Sequence, residues 1–153
     1  MRITKVTTKT GDGGKTSLGN GQRVHKNHPI INTLGELDYL NSIIGWAEVE
    51  STNESYSSEL KNIQQDIFNI SGDLSLPNSD VSLLKEERII HLEKMIKNMN
   101  EKLPPLEEFI LPGGSELNAR LHIARTTCRN SERSLVSLHL EHNRNEIHAK
   151  YLN

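Results

Sequence analysis

From Pro29 onward, apolar residues recur at steps of three and four, broken at intervals by proline, and this pattern constrains the fold more than any other feature. Ile30, Leu34, Leu37, Leu40, Ile44 and Ala47 form a first stripe, and Tyr56, Leu60, Ile63, Ile67, Ile70 and Leu74 a second. At about 3.6 residues per turn, such spacing gathers each set on one face of a helix. Pro77 and the Asn78-Ser79-Asp80 run close the second helix. A third stripe, Ile89, Leu92, Ile96, Met99 and Leu103, stops before Pro104 and Pro105, because proline has no amide to donate and clashes with the preceding turn. Ser115, at the end of the Pro112-Gly113-Gly114 loop, is placed as an N-cap. A fourth helix of about 25 residues then carries Leu117, Leu121, Ala124, Cys128, Ser131, Leu135 and Leu138. A last, short helical segment is expected to begin near Asn143 or Asn145 and to end at Asn153. No internal repeat and no long alternating pattern competes, so the predicted fold is all-α: an antiparallel bundle of five helices with short connections.

Composition narrows the class. A chain of 153 residues is the size of one domain, expected to span 1–153, and 34% hydrophobic residues with 4% aromatics predict a lean core. The net charge of -2 argues against a global basic field for nucleic acid. Cys128 is the only cysteine, which excludes an intrachain disulfide and fits a reducing compartment. No apolar run approaches the roughly 18 residues of a membrane span, and MRITKVTTKTGDGG offers no signal-peptide core. A cytoplasmic protein without membrane or nucleic-acid partners is the expectation.

The first 26 residues differ from the rest. They hold five glycines and the cations Arg2, Lys5, Lys9, Lys15, Arg23 and Lys26 against the single acid Asp12, a local charge of about +5. Glycine and threonine at this density predict an irregular, mostly extended or looped arm. Within it, Thr8-Lys9-Thr10-Gly11-Asp12-Gly13-Gly14-Lys15-Thr16-Ser17 combines backbone amides accessible to an anion with lysine charge and hydroxyl donors. Gly14-Lys15-Thr16 ends like a Walker A loop, but that motif needs glycine where Lys9 stands and a helix where Gly19, Asn20 and Gly21 stand. The simpler reading is a basic tail.

On the fourth helix Arg125, Arg129 and Glu132 fall within about 60° of one another beside the apolar stripe. They read either as the edge of an interface or as an ordinary solvated charge ladder. Asp38, next to the first stripe, could pair with an arginine of the fourth helix if the two helices pack, or simply face solvent. Among the seven histidines, His139 and His142 are three residues apart, but nothing completes a tetrahedral set with them and His148, so no metal site is expected. Core packing is the default for Trp46 and Phe109.

Taken together, Thr8-Lys9-Thr10-Gly11-Asp12, Ser17-Leu18-Gly19, Arg23-Val24, Lys26, Gly35 with Asp38, Leu40, Asn41 and Ser42, Phe109-Ile110-Leu111-Pro112-Gly113-Gly114-Ser115, and Ala124-Arg125-Thr126, Cys128-Arg129 and Glu132-Arg133 resemble the PduO-type ATP:cob(I)alamin adenosyltransferases in order and spacing. The resemblance implies a five-helix bundle that forms a homotrimer with active sites between subunits, and a reaction in which the 5′-deoxyadenosyl group of ATP passes to cob(I)alamin, with Mg²⁺ on the triphosphate. It implies that Thr8, Lys9, Thr10, Gly11, Thr16, Ser17 and Lys26 cradle the triphosphate while Arg129, Glu132, Arg133 and Asn153 complete the nucleotide site. Asp38 and Arg125 match an intersubunit salt bridge, and Phe109 an aromatic under the corrin that keeps its lower ligand from cobalt. A corrinoid reductase and a B12-dependent enzyme are the further partners implied.

The chain departs from the family pattern at Thr7, Gly13, Lys15, Tyr39 and Asn130, and it ends at Tyr151-Leu152-Asn153, where the family's last helix continues. The rival expectation from another class is a bundle that binds ATP or cobalamin as carrier or sensor without efficient turnover.

Overall fold

The structure, a computed structural model, describes residues 7, 9–77, 79, 82–142 and 146–153, with residues 139–142 described through their backbone alone. Among the described residues, five helices follow a two-stranded hairpin: β1 (Lys15–Ser17), β2 (Arg23–His25), α1 (Pro29–Glu48), α2 (Glu54–Ser75), α3 (Glu86–Asn100), α4 (Glu116–His142) and α5 (Ile147–Leu152). Thr8 and the expected start of the last helix at Asn143 or Asn145 lie outside the described residues, as do Arg2 and Lys5.

The helix starts follow from local chemistry. Pro29 sits in the first turn of α1, where its missing amide costs nothing, and the His28 side chain accepts a hydrogen bond from the Ile30 amide at 3.2 Å. Asn53 caps α2 by accepting from the Ser55 and Tyr56 amides at 3.0 and 3.2 Å. Ser115 caps α4, its hydroxyl oxygen accepting from the Asn118 amide at 3.1 Å.

α1 packs on both α4 and α2 and forms the middle of the bundle. Contacts between Thr33 and Ser134 and between Trp46 and Arg120 run α1 and α4 antiparallel. Contacts between Asn41 and Gln64 and between Glu48 and Ser57 do the same for α1 and α2. The core comes from the stripes: Ile30, Leu37, Leu40, Ile44 and Ala47 of α1, Ile67, Ile70 and Leu74 of α2, and Ala124, Leu135 and Leu138 of α4. Each fully buried Leu or Ile contributes about 1.5–3 kcal/mol. Small polar residues bring α4 close to α1, where the buried Ser131 hydroxyl donates to the Glu36 carbonyl at 3.0 Å.

Three stripes end differently from the sequence expectation. α3 buries none of its own residues, so Ile96, Met99 and Leu103 stay exposed and Leu103 falls beyond the helix. Tyr56 and Leu121, at the stripe ends of α2 and α4, are exposed as well. The core default for Trp46 and Phe109 also fails. Trp46 is half exposed under the Arg120 guanidinium, 4.6 Å from its ring centre, and Phe109 projects wholly into solvent from the loop before α4.

From Lys9 onward the arm is more ordered than its composition suggests. β1 and β2 pair antiparallel with Thr16 opposite Val24, and Leu18 and Val24 are buried as the hairpin's own anchors. The hairpin tip docks on the end of α2, where the Gly19 amide donates to the Ser75 carbonyl at 2.8 Å. A Cβ at Gly19 would stand 3.1 Å from that carbonyl oxygen, which accounts for glycine there.

Candidate functional site

The loop between Lys9 and Lys15 is built to bend. Lys9 adopts a left-handed backbone at φ 59°, as does Gly14 at φ 74°. The Asp12 amide donates to the Lys9 carbonyl at 3.3 Å and the Gly14 amide to the Gly11 carbonyl at 3.1 Å. The amides of Gly11 and Gly13 make no hydrogen bond within the described residues and are available to a ligand. Lys26 closes the loop from the far strand: its own amide donates to the Gly14 carbonyl at 2.9 Å, and its ammonium lies so close over Gly11 that a Cβ there would be 3.1 Å from Nζ. Lys9, Thr10, Gly11, Thr16, Ser17 and Lys26 are therefore brought into one loop-and-hairpin unit, with Thr16 and Ser17 on β1. Thr10 and Lys9 are exposed, and Thr16 is half-buried.

The second group lies on α4. Arg125, Arg129 and Arg133 are exposed and Glu132 is half-buried. None of Arg125, Arg129 and Glu132 is in an ion pair or side-chain hydrogen bond among the described residues, so their charges are not spent on one another. Arg133 donates to the Asn130 amide oxygen. Between them sits Cys128, whose thiol is pushed above its ordinary value by burial and by the Glu132 carboxylate, with Arg129 partly offsetting. That thiol donates to the Leu152 carbonyl at 3.4 Å, which sets the end of α5, and Asn153 with it, beside this face of α4.

Asp38 is exposed on α1, and although α1 and α4 pack, its carboxylate meets no arginine of α4 within the chain. The intrachain form of that pair is thus corrected: the helix contact runs through Thr33, Glu36, Ser131 and Ser134 instead. Phe109 lies in a loop with Leu106, Ile110 and Leu111, all largely exposed, an apolar edge rather than a core.

Two features escaped sequence reasoning. The Arg23 guanidinium grips the arm's loop, and Asp66 forms a buried polar junction with Arg88 and Tyr151. An acid directly before Ile67 in the buried stripe of α2 was the available signal for the second. His148, one of the histidines considered for metal, is buried and bonded to Asp73 at 3.0 Å. The side chains of His139 and His142 lie outside the described residues. Among the described residues no group of three or more His, Cys, Asp or Glu is placed to hold a metal ion. No described helix is long and apolar enough to cross a membrane.

The profile of the cobalamin adenosyltransferase family matches residues 6–153. A cobalamin adenosyltransferase of Cupriavidus metallidurans is 44% identical over 153 residues, covering 99% of this chain and 82% of the relative. The corrinoid adenosyltransferase PduO of Citrobacter freundii is 38% identical over 97% of this chain, which spans 45% of that longer protein. Among solved structures, a variant of the PduO-type ATP:corrinoid adenosyltransferase of Lactobacillus reuteri, complexed with cobalamin and ATP, superposes with a TM-score of 0.92 at 35% identity, covering 97% of this chain and 86% of that one.

Proposed function

This chain belongs to the cobalamin adenosyltransferase family, and we propose how its residues serve the reaction. The protein is a transferase that passes the 5′-deoxyadenosyl group of ATP to cob(I)alamin, giving adenosylcobalamin and triphosphate. The match of residues 6–153 to the family carries this conclusion. We assign the whole of 1–153 to one adenosyltransferase domain acting in the cytoplasm.

In the transfer, a cobalt–carbon bond forms at the 5′ carbon as the carbon–oxygen bond to triphosphate breaks, and negative charge grows on the leaving group. The cationic arm fits that demand: Thr8, Lys9, Thr10, Gly11, Thr16, Ser17 and Lys26 hold the triphosphate through amides, hydroxyls and two ammonium groups. Donors fixed before the reaction stabilise the charge that develops without reorganising. No protein nucleophile is needed. Arg129, Glu132, Arg133 and Asn153 complete the nucleotide site, Arg129 with its charge uncommitted among the described residues. Mg²⁺ enters as part of the nucleotide substrate, bound by its phosphates; among the described residues no carboxylate cluster supplies protein ligands for it.

The site is shared between subunits of a homotrimer. Asp38 and Arg125 are each exposed, with no ion pair among the described residues of one chain, which supports their pairing across a subunit boundary. Phe109, outside the core, belongs with Leu106, Ile110 and Leu111 to an apolar wall under the corrin that keeps the lower ligand from cobalt. Such a wall favours the four-coordinate cobalt(II) precursor, which a corrinoid reductase reduces more easily, and the product passes to a B12-dependent enzyme.

The test is anaerobic mixing of the purified protein with ATP, Mg²⁺ and chemically reduced cob(I)alamin, following the absorbance change of cobalt–carbon bond formation. Adenosylcobalamin with stoichiometric triphosphate is the expected result. ATP binding without turnover would support the carrier or sensor alternative.

A further inference from the structure

We infer that Arg23 is a positioning residue for the nucleotide, a staple that holds the phosphate-facing loop in its binding shape rather than a cation that meets the phosphates. The inference rests on the reading of the arm as the triphosphate cradle. Arg23 is the first residue of β2 and stands opposite Ser17 in the hairpin. From there its Nη2 donates to the Thr10 carbonyl at 2.8 Å and to the Lys15 carbonyl at 3.4 Å, while Nη1 donates to the Ser17 hydroxyl at 3.4 Å. Thr10 and Lys15 are the entry and exit of the bend that carries Gly11, Asp12, Gly13 and Gly14. One planar guanidinium therefore closes both ends of the loop.

The consequence is electrostatic as well as geometric. A free carbonyl oxygen near a phosphate repels it; the guanidinium occupies the carbonyls of Thr10 and Lys15, while the amides of Gly11 and Gly13 remain unbonded within the described residues. A flexible glycine loop held this way loses less entropy when it binds. The fork is what matters: guanidinium presents several donors in one plane, whereas a lysine ammonium is a point charge on a flexible stem and cannot span both carbonyls and the hydroxyl together.

The experiment compares Arg23→Ala, Arg23→Lys and, as a probe of the cradle itself, Lys26→Ala, reading the ATP and corrinoid KM separately together with amide hydrogen exchange across residues 9–16. If Arg23 is a staple, both Arg23 variants raise the ATP KM about tenfold, leave the corrinoid KM unchanged and speed exchange in the loop while the helices keep their protection. Recovery of the wild-type ATP KM in Arg23→Lys would mean that charge alone suffices, and would overturn the inference. Unchanged ATP KM in Arg23→Ala with a raised one in Lys26→Ala would remove the staple and leave the cradle standing. If neither Arg23→Ala nor Lys26→Ala moves it, the cradle reading falls too.

Discussion

The Tyr151 hydroxyl donates to Asp66 Oδ2 at 2.7 Å, and the same oxygen accepts from Arg88 Nε at 2.7 Å. Three helices, α5, α2 and α3, meet at that one oxygen. Arg88 reaches on to Glu59 at 2.9 Å, and His91 bonds the other oxygen of Glu59 at 3.0 Å. A parallel link joins the buried His148 and Asp73, whose carboxylate also accepts from the Leu83 and Leu84 amides. Because α3 buries no residue of its own and α5 has six residues, these polar contacts do much of the holding that an apolar face does elsewhere in the bundle.

Asp66→Ala is expected to destabilise the fold by about 3 kcal/mol, because it leaves Arg88 and the Tyr151 hydroxyl without their shared acceptor in a mostly buried site. Tyr151→Phe removes only one donor and should cost about 1–2 kcal/mol. Urea unfolding of the two variants checks the ordering. Equal small losses would show that the junction is solvated.

Acid should loosen α3 through Glu59. Burial raises its pKa, but hydrogen bonds from His91, Arg88 and Asn62 and the charge of Arg88 outweigh it and hold the carboxyl below its ordinary value of 4.5. A lowered folded-state pKa gives stability that is present above the unfolded value and lost as pH falls through the folded one. The urea midpoint is therefore expected to drop on going below about pH 4.5, with a smaller drop in Glu59→Gln. An identical pH profile in the variant would assign the acid sensitivity elsewhere.

Asp38 and Arg125 should report on assembly. Asp38→Arg or Arg125→Asp alone is expected to shift sedimentation toward smaller species, and the double exchange to restore the proposed trimer. Unchanged sedimentation in both single variants would separate these residues from the interface.

Arg129→Ala should weaken ATP binding by more than the roughly 1 kcal/mol of a surface pair. Since Arg129 is exposed and has no partner among the described residues, thermal stability should stay within about 0.5 kcal/mol of the parent. Calorimetric titration with ATP, beside a melting curve, reads both. Near wild-type affinity would take Arg129 out of the site.

Phe109→Ala touches no core contact, because the ring is wholly exposed, so folding should not change. ATP KM is expected to hold while turnover slows with corrinoid that carries its lower ligand. An equal rate on that substrate would leave Phe109 without the proposed role.

Helix periodicity was legible because it is a local property: most residues of the α1, α2 and α4 stripes are buried at the spacing the sequence shows. The Ser115 cap of α4, the start of α1 at Pro29 and the cationic glycine loop were equally readable from short-range chemistry. What the sequence could not decide is where each face finds its partner. The α3 stripe has the same spacing as the others and yet no residue of it is fully buried, and Trp46 and Phe109 stay out of the core, since burial depends on which surface arrives opposite. Arg23, read as one cation among several, becomes the closure of a loop only when the hairpin sets it opposite Ser17. Asp66, Arg88 and Tyr151 are far apart in the chain, and only packing of three helices places them on one oxygen. Spacing along a chain determines which side of a helix a residue occupies; the long-range contacts that select its neighbours are decided by the tertiary structure.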